Sequence, residues 1–193
     1  MADLTTEARI LEVASRLFYE RGYKATTMRA LAKEVGIKES SVYNHFDDKQ
    51  AILVRICLDT MREFHAGALE CLNGINDPAQ RLRTLINLQV RFEASHPYTA
   101  SVVDGQLEAL NPKSRNELIQ LRDAYEEMIT STLIAGREQG AWSVEHPRII
   151  TLGIVSMTKI DPWYREDGPL SPEEIGDIYF TFILGALEAS APR

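Results

Sequence analysis

A chain of 193 residues is long enough for one large domain, or for a small one joined to a larger one. Its 45% hydrophobic and 25% charged residues are ordinary for a globular protein, and no apolar run approaches the roughly eighteen residues of a membrane span. The net charge of −7 excludes partners held by bulk positive charge, but it is unevenly placed: residues 1–50 carry eight Lys/Arg against eight Asp/Glu, and residues 51–193 carry 13 against 20.

The opening MADLTTEAR has neither a basic n-region nor an apolar h-region, so no secretory signal is expected and a cytoplasmic location is the simplest inference. Apolar residues then recur with period 3.6 and strand-like alternation is missing, which predicts an all-α fold of about nine helices. Ile10, Leu11, Ala14, Leu17 and Phe18 form the stripe of a first helix, with Gly22 as its stop in a left-handed C′ position. Thr26 or Thr27 N-caps a second helix holding Met28, Leu31, Ala32 and Val35, broken by Gly36. A third is expected from Glu39 to Phe46. Asp47 or Asp48 caps a long fourth helix running to Leu72 and stopping near Gly74. Cys57 and Cys71, fourteen residues apart on it, lie roughly 21 Å from each other at about 1.5 Å rise per residue. That is too far for a disulfide, and both are expected as buried small apolar side chains.

Asp77-Pro78 starts a fifth helix ending near His96-Pro97, and a short one covers Tyr98 to Leu110. Asn111-Pro112 opens a long helix ending near Gly140, and Pro147 opens another reaching Ile160. Ser171-Pro172-Glu173-Glu174 is a capping box with Pro at N1, and it starts the last helix.

Residues 26–46, TTMRALAKEVGIKESSVYNHF, carry the most chemistry. Two short helices joined by a tight turn at Gly36 suit a helix-turn-helix, whose second helix enters the DNA major groove. On that helix Val42 and Phe46 share one side, towards Leu17, Phe18, Leu31 and Val35. Ser40, Ser41 and Asn44 face the other way, with Tyr43 on the flank. Small polar side chains permit close approach to base edges, and an Asn amide can pair bidentately with adenine. Tyr43 has a long arm for a phosphate, and Thr27 at a helix N-terminus offers a hydroxyl and N–H groups to another. Lys49, a cation in the first turn of the fourth helix, gains nothing from that helix's dipole. A phosphate partner would account for it.

The run ARILEVASRLFYERGYKATTMRALAKEVGIKESSVYNHFDDKQAIL resembles the N-terminal domain of TetR-type transcriptional regulators over about residues 7–55. The matching marks are LF-x-E-x-GY at Leu17 to Tyr23, TTM at Thr26 to Met28, Leu31-Ala32, Gly36-Ile37, and VYNHF followed by Lys49. The resemblance implies a homodimer with two reading heads on double-stranded DNA and a C-terminal part that binds a small effector. It also implies DNA contact by the positions Thr27, Ser40, Ser41, Tyr43, Asn44, His45 and Lys49, with Arg29 near a base or phosphate. His45 lies nearer the apolar side of its helix, so packing is its alternative role. No Lys or Arg precedes Arg9, so minor-groove contact by a basic arm is not expected. The division is residues 1–48 for DNA and residues 49–193 for effector and dimer. Two-fold symmetry then predicts an inverted-repeat operator with recognition helices about 34–36 Å apart.

The last helix carries an apolar stripe of Ile175, Ile178, Tyr179, Phe182 and Ala186, and IITLGIVSM at Ile149 to Met157 is apolar nearly all round. Small residues such as Gly153 permit close helix approach. We expect these two helices to pair with their copies in a second chain, with Ile149, Gly153, Ile175, Tyr179, Phe182 and Ala186 at the interface. Ordinary intramolecular core is the alternative. On the middle helices Phe64, Phe92 and Tyr125 supply apolar walls, and Gln89, His96, Arg122, Lys159 and Trp163 supply polar groups for an effector. Lys159 and Trp163 would stand one turn apart if the helix continues past Pro162. The stretch from Asp161 to Leu187, with its WYR…G.LS.EEI pattern, resembles TetR-type regulators of fatty-acid and steroid catabolism, several of which respond to acyl-CoA esters. That resemblance makes an acyl-CoA the leading effector, ahead of another hydrophobic molecule.

Nothing points to catalysis: there is no nucleophile–base pair, no zinc spacing and no Gly-rich phosphate loop, and the histidines at 45, 65, 96 and 146 are scattered. Neither a cofactor nor a metal is expected. The competing role from another class is a DNA-binding protein of chromosome organisation or division control.

Overall fold

The computed structural model describes residues 5–160 and 168–189. Among them every regular element is helical: α1 (Thr6–Arg21), α2 (Met28–Val35), α3 (Glu39–Tyr43), α4 (Lys49–Leu72), α5 (Pro78–Ser95), α6 (Pro97–Gly105), a 3₁₀ turn at Leu107–Ala109, α7 (Pro112–Glu138), α8 (Pro147–Met157) and α9 (Pro172–Ala189). None is long and apolar enough to cross a membrane.

Local side-chain chemistry sets the helix ends. Thr5, Thr27, Asp48, Asp77 and Asn111 each accept a backbone N–H three residues ahead, the N-cap bond that satisfies an orphan donor. Ser171 and Glu174 bond reciprocally as the expected capping box. Gly36 closes α2 in the left-handed region at φ 79° and ψ 29°. Its N–H reaches Lys33 O while Ile37 N reaches Ala32 O, the paired bonds of a Schellman ending. Gly22 also has positive φ, but its ψ of 149° lies outside the left-handed helical region expected for it.

The chain forms two compact units. The first comprises the described residues up to Glu63 together with Pro97–Gln120, and the second comprises Phe64–His96 with the described residues from Leu121 onward. Helices α4 and α7 each begin in the first and end in the second. In the first unit α1 packs on α2 and on α6. Ile10, Leu17, Phe18, Leu31, Val42, Ile52 and Leu53 are buried there, each contributing about 1.5–3 kcal/mol by leaving water. In the second, α5 lies along α9. Leu82, Leu85, Ile86, Ile129 and Leu133 form its core, and Trp142 covers Gly136, where a Cβ would overlap the indole.

Further expectations change. The short sixth helix ends at Gly105, not Leu110, and a separate 3₁₀ turn follows it. Regular α3 ends at Tyr43, not Phe46, because His45 N bonds Val42 O and tightens the last turn to three-residue spacing. α8 ends at Met157, not Ile160. There the Thr158 hydroxyl bonds Ile154 O and the Gln89 amide bonds Val155 O, so side chains take up the last carbonyls. Cys57 is buried as expected, but Cys71 is exposed near the end of α4.

Candidate DNA-reading head and effector cluster

The face of α3 is built by what lies behind it. Val42 is fully buried and Phe46 nearly so, and the helix packs on α2. Ser40, Tyr43, Asn44 and His45 are exposed, and Ser41 is half-buried. Asn44 and His45 stand in the turn that follows α3, not within regular helix. His45 faces solvent, so the packing role considered for it is not the one it has. Thr27 and Arg29 are exposed at the start of α2. The Thr27 oxygen accepts Ala30 N–H at 3.1 Å, leaving its hydroxyl hydrogen to donate elsewhere. Arg9, the first cation of the chain, donates to Val35 O at 2.9 Å across the α1–α2 contact.

Lys49 is placed differently from the sequence argument. Its ammonium donates to Tyr23 O and Thr26 O, both at 2.6 Å, and more weakly to Lys24 O at 3.4 Å. It also lies 4.4 Å from the Tyr23 ring centroid. A cation at this position therefore has a structural reason that spacing alone did not reveal: it collects the carbonyls of the α1–α2 turn. Burial lowers its pKa and, with the Asp48 carboxylate second, raises that of Tyr23.

In the second unit, five of the eight residues expected around an effector come together. Phe64 meets Phe92 and Tyr125 at ring-centroid distances of 4.7 Å, and His96 stacks on Phe92 at 4.9 Å. The Tyr125 hydroxyl lies 3.1 Å from Gln89 Oε1 and 3.2 Å from Leu85 O, two acceptors for one hydrogen. Gln89 Nε2 in turn donates to Val155 O at 3.0 Å. Burial, and secondarily the Glu93 carboxylate, pushes the Tyr125 pKa far above the ordinary range. Phe64, Gln89 and Tyr125 are buried, Phe92 is half-buried and His96 exposed. Arg122 is half-buried on α7, and Lys159 is exposed beyond the end of α8. The one-turn pairing of Lys159 with Trp163 required helix beyond Met157; Trp163 lies outside the described residues.

The same unit turns an apolar face outward. Ile149 is 65% and Phe182 63% exposed, with Gly153 and Ala186 also exposed and Ile175 and Tyr179 half-buried. Ile150, Leu152, Met157 and Ile178 belong to this face and were not among the expected interface residues. Their signal was the helix phase: on α8 the inward positions are Thr151, Ile154 and Thr158, leaving the rest of an apolar helix outside. A groove of about 730 Å³ runs between α8 and α9, lined by Ile149, Gly153, Ile154, Met157, Phe182 and Ala186 among others. Sequence reasoning also missed the buried Thr130–Thr151 hydroxyl pair joining α7 to α8 at 2.9 Å. Two threonines on separate helices gave no sign that they meet.

A helix-turn-helix head with a helical body points to the class of DNA-binding regulators, and comparison with known proteins agrees. Residues 10–56 match the family model for bacterial regulatory proteins of the tetR family. Residues 76–187 match the model for the tetracyclin repressor-like C-terminal domain. The chain belongs to the TetR family of transcriptional regulators. It is 28% identical over 183 residues to the HTH-type transcriptional repressor KstR2 of Mycobacterium tuberculosis, covering 92% of this chain and 90% of that one. The TetR-family regulator PfmR from Thermus thermophilus is 31% identical, with a TM-score of 0.81, over 93% of this chain and 99% of that one. AibR in complex with isovaleryl coenzyme A and operator DNA has the same fold, with a TM-score of 0.79 at 22% identity over 97% of this chain and 100% of that one.

Proposed function

We propose that this chain is a homodimeric repressor that binds an inverted-repeat operator and is released by a hydrophobic effector of the acyl-CoA class. The observation that carries the DNA-binding part is the outward polar face of α2 and α3 over a fully buried Val42. In this reading Ser40, Ser41 and Asn44 meet base edges, while Thr27, Arg29, Tyr43 and His45 meet phosphates or flanking bases. Residues 1–48 do this work, and residues 49–193 hold the effector and the second copy.

The relatives support repression and the effector class: KstR2 is described as a repressor, and AibR binds isovaleryl coenzyme A. The Phe64–Phe92–Tyr125 cluster offers an apolar surface for an acyl chain, and Gln89 and His96 are the polar groups beside it. The outward apolar face of α8 and α9 fits a second copy, as an exposed patch of this kind needs a partner. Effector and operator then act by population shift, with coupling of about 1–3 kcal/mol changing operator affinity roughly 5- to 150-fold.

The test is a mobility shift on the DNA upstream of the gene, titrated with a panel of CoA esters and with the matching free acids. Release by one or more esters is expected. Operator binding unchanged by every ester would overturn the effector class, and binding at many dispersed genomic sites with no preferred operator would overturn the regulatory role.

A further inference from the structure

We infer that Gln89 is a positioning residue for the outward face of α8: its side-chain amide ties the last turn of that helix to the ring cluster of α4, α5 and α7. The inference rests on the proposed reading of the α8–α9 face as the contact with a second copy.

Gln89 is 5% exposed, and both ends of its amide are used. Oε1 accepts from the Tyr125 hydroxyl on α7 at 3.1 Å, and Nε2 donates to Val155 O on α8 at 3.0 Å. A carbonyl only accepts, so the nitrogen has to face Val155 and the oxygen Tyr125. The amide is planar and rigid, so a shift at one end is felt at the other. Tyr125 in turn has one hydrogen for two acceptors, Gln89 Oε1 and, at 3.2 Å, Leu85 O. Its ring meets Phe64 at a centroid distance of 4.7 Å, and Phe64 meets Phe92 at the same distance. One side chain thus joins the cluster proposed for the effector to the helix proposed for the second copy.

The place of Val155 gives this bond its consequence. It stands in the last turn of α8, where carbonyls lack a donor within the helix. The Thr158 hydroxyl serves Ile154 O at 2.8 Å and reaches Val155 O at 3.4 Å, so Gln89 is the nearer of the two donors. One turn earlier the inward side of α8 is held by a different bond. Thr130 gives its hydrogen to Glu126 O at 2.9 Å, so Thr151 donates in the 2.9 Å contact between the two hydroxyls. With Thr151 held and Val155 released, the last turn of α8 is free to tilt about the Thr151 contact. Leu152, Gly153, Ser156 and Met157 stand exposed on this part of the helix, and Gly153 and Met157 line the groove between α8 and α9. A side chain buried beneath α8 therefore governs how its outward residues are presented.

The experiment measures the dimer dissociation constant of the full chain by sedimentation for the wild type, Gln89→Met and Thr132→Val, with thermal melting alongside. Methionine keeps an unbranched shape but makes neither bond. Thr132 is 1% exposed and its hydroxyl bonds Met128 O within α7 at 2.7 Å, so valine there removes a buried bond that does not reach α8. Both variants should melt earlier, and only Gln89→Met should dissociate more readily, by about fivefold or more. A dissociation constant for Gln89→Met equal to that of the wild type, or an equal rise in both variants, would overturn the inference. Should Gln89→Met fail to fold, Gln89→Glu decides through pH. A protonated carboxyl donates to Val155 O and accepts from Tyr125 as the amide does, whereas an ionised one has no hydrogen to give. Relative to the wild type at the same pH, its dimer should strengthen as pH falls through the titration of that carboxyl; a ratio independent of pH refutes the link. A wild type that sediments as a monomer at micromolar concentration would overturn the dimer reading and the inference with it, whereas a wild-type dimer indifferent to residue 89 would overturn the inference alone.

Discussion

In the first unit Ser40, Tyr43, Asn44 and His45 stand exposed around a buried Val42. In the second, Tyr125 and Gln89 are buried and bonded to each other, to Leu85 O and to Val155 O. On the proposed function, the contrast follows from what each has to meet. A duplex arrives as a large polar surface, and exposed polar groups need give up only water to meet it. In the proposed function, an acyl chain entering the aromatic cluster would have to replace bonds already made. Leaving a buried acceptor without its donor costs about 1–3 kcal/mol, the same size as a typical coupling between two sites. An effector that makes up for those bonds in only one arrangement of the helices favours that arrangement, which is how binding becomes a signal.

The largest expected effect tests the third surface, the outward face of α8 and α9. Phe182→Asp puts a charge where the second copy is to sit. It is predicted to give a monomer by sedimentation at micromolar concentration and to weaken the operator about a hundredfold or more by removing the second contact. A dimer of unchanged affinity would place the interface elsewhere. Tyr125→Phe comes next. It removes the one hydrogen that Gln89 Oε1 and Leu85 O share and should cost about 1–3 kcal/mol in denaturant unfolding. Operator affinity without effector should stay within about twofold, while the response to effector changes. If the response stayed the same, Tyr125 would belong to the core and not to the effector site. Asn44→Ala sharpens the other half of the comparison: discrimination against a wrong base should fall by about 1–3 kcal/mol. Stability should shift by no more than about 0.5 kcal/mol, because the side chain is exposed.

The smallest effect concerns the α5–α9 contact. Arg83 reaches both carboxylate oxygens of Asp177, at 2.9 and 2.6 Å, and Asn87 reaches one at 3.1 Å. These bonds, that from Arg83 first, hold the Asp177 pKa below the ordinary 3.8. A carboxylate with a lowered folded pKa stabilises above its unfolded value, and the contribution is lost as pH falls through the lowered one. Asp177→Asn should therefore slightly lower melting temperature at neutral pH and remove part of the acid sensitivity below pH 3.8. The pair is exposed, so solvent screening keeps the effect small. A melting curve identical to wild type at both pH values would assign the contact no role.

The two units also differed in how far the sequence revealed them. Helix boundaries were legible wherever a capping side chain starts the helix, as at Thr27, Asp77 and the Ser171–Glu174 box, or a left-handed glycine ends it, as at Gly36. The exposed face of α3 was legible because it follows from helix phase and from which residues must pack. The carbonyl niche of Lys49 was not legible because its partners, Tyr23 to Thr26, lie more than twenty residues away and are backbone atoms, which leave no mark in a side-chain pattern. The early end of α8 escaped for a similar reason: Gln89 on α5 supplies a bond across 66 residues of chain. Phe64, Gln89, Phe92, His96 and Tyr125 were found one by one as unusual residues on middle helices, but their meeting is a tertiary fact.

The reading head carries no net charge over residues 1–50, so a single copy lacks the electrostatic reserve to hold DNA alone. The most direct measurement compares the wild-type affinity for an operator with both half-sites intact and for one in which a half-site is scrambled, at physiological salt. The account predicts a loss of about a hundredfold or more, with two chains bound per intact operator. Equal affinity for the two DNAs, or one chain per intact operator, would contradict it.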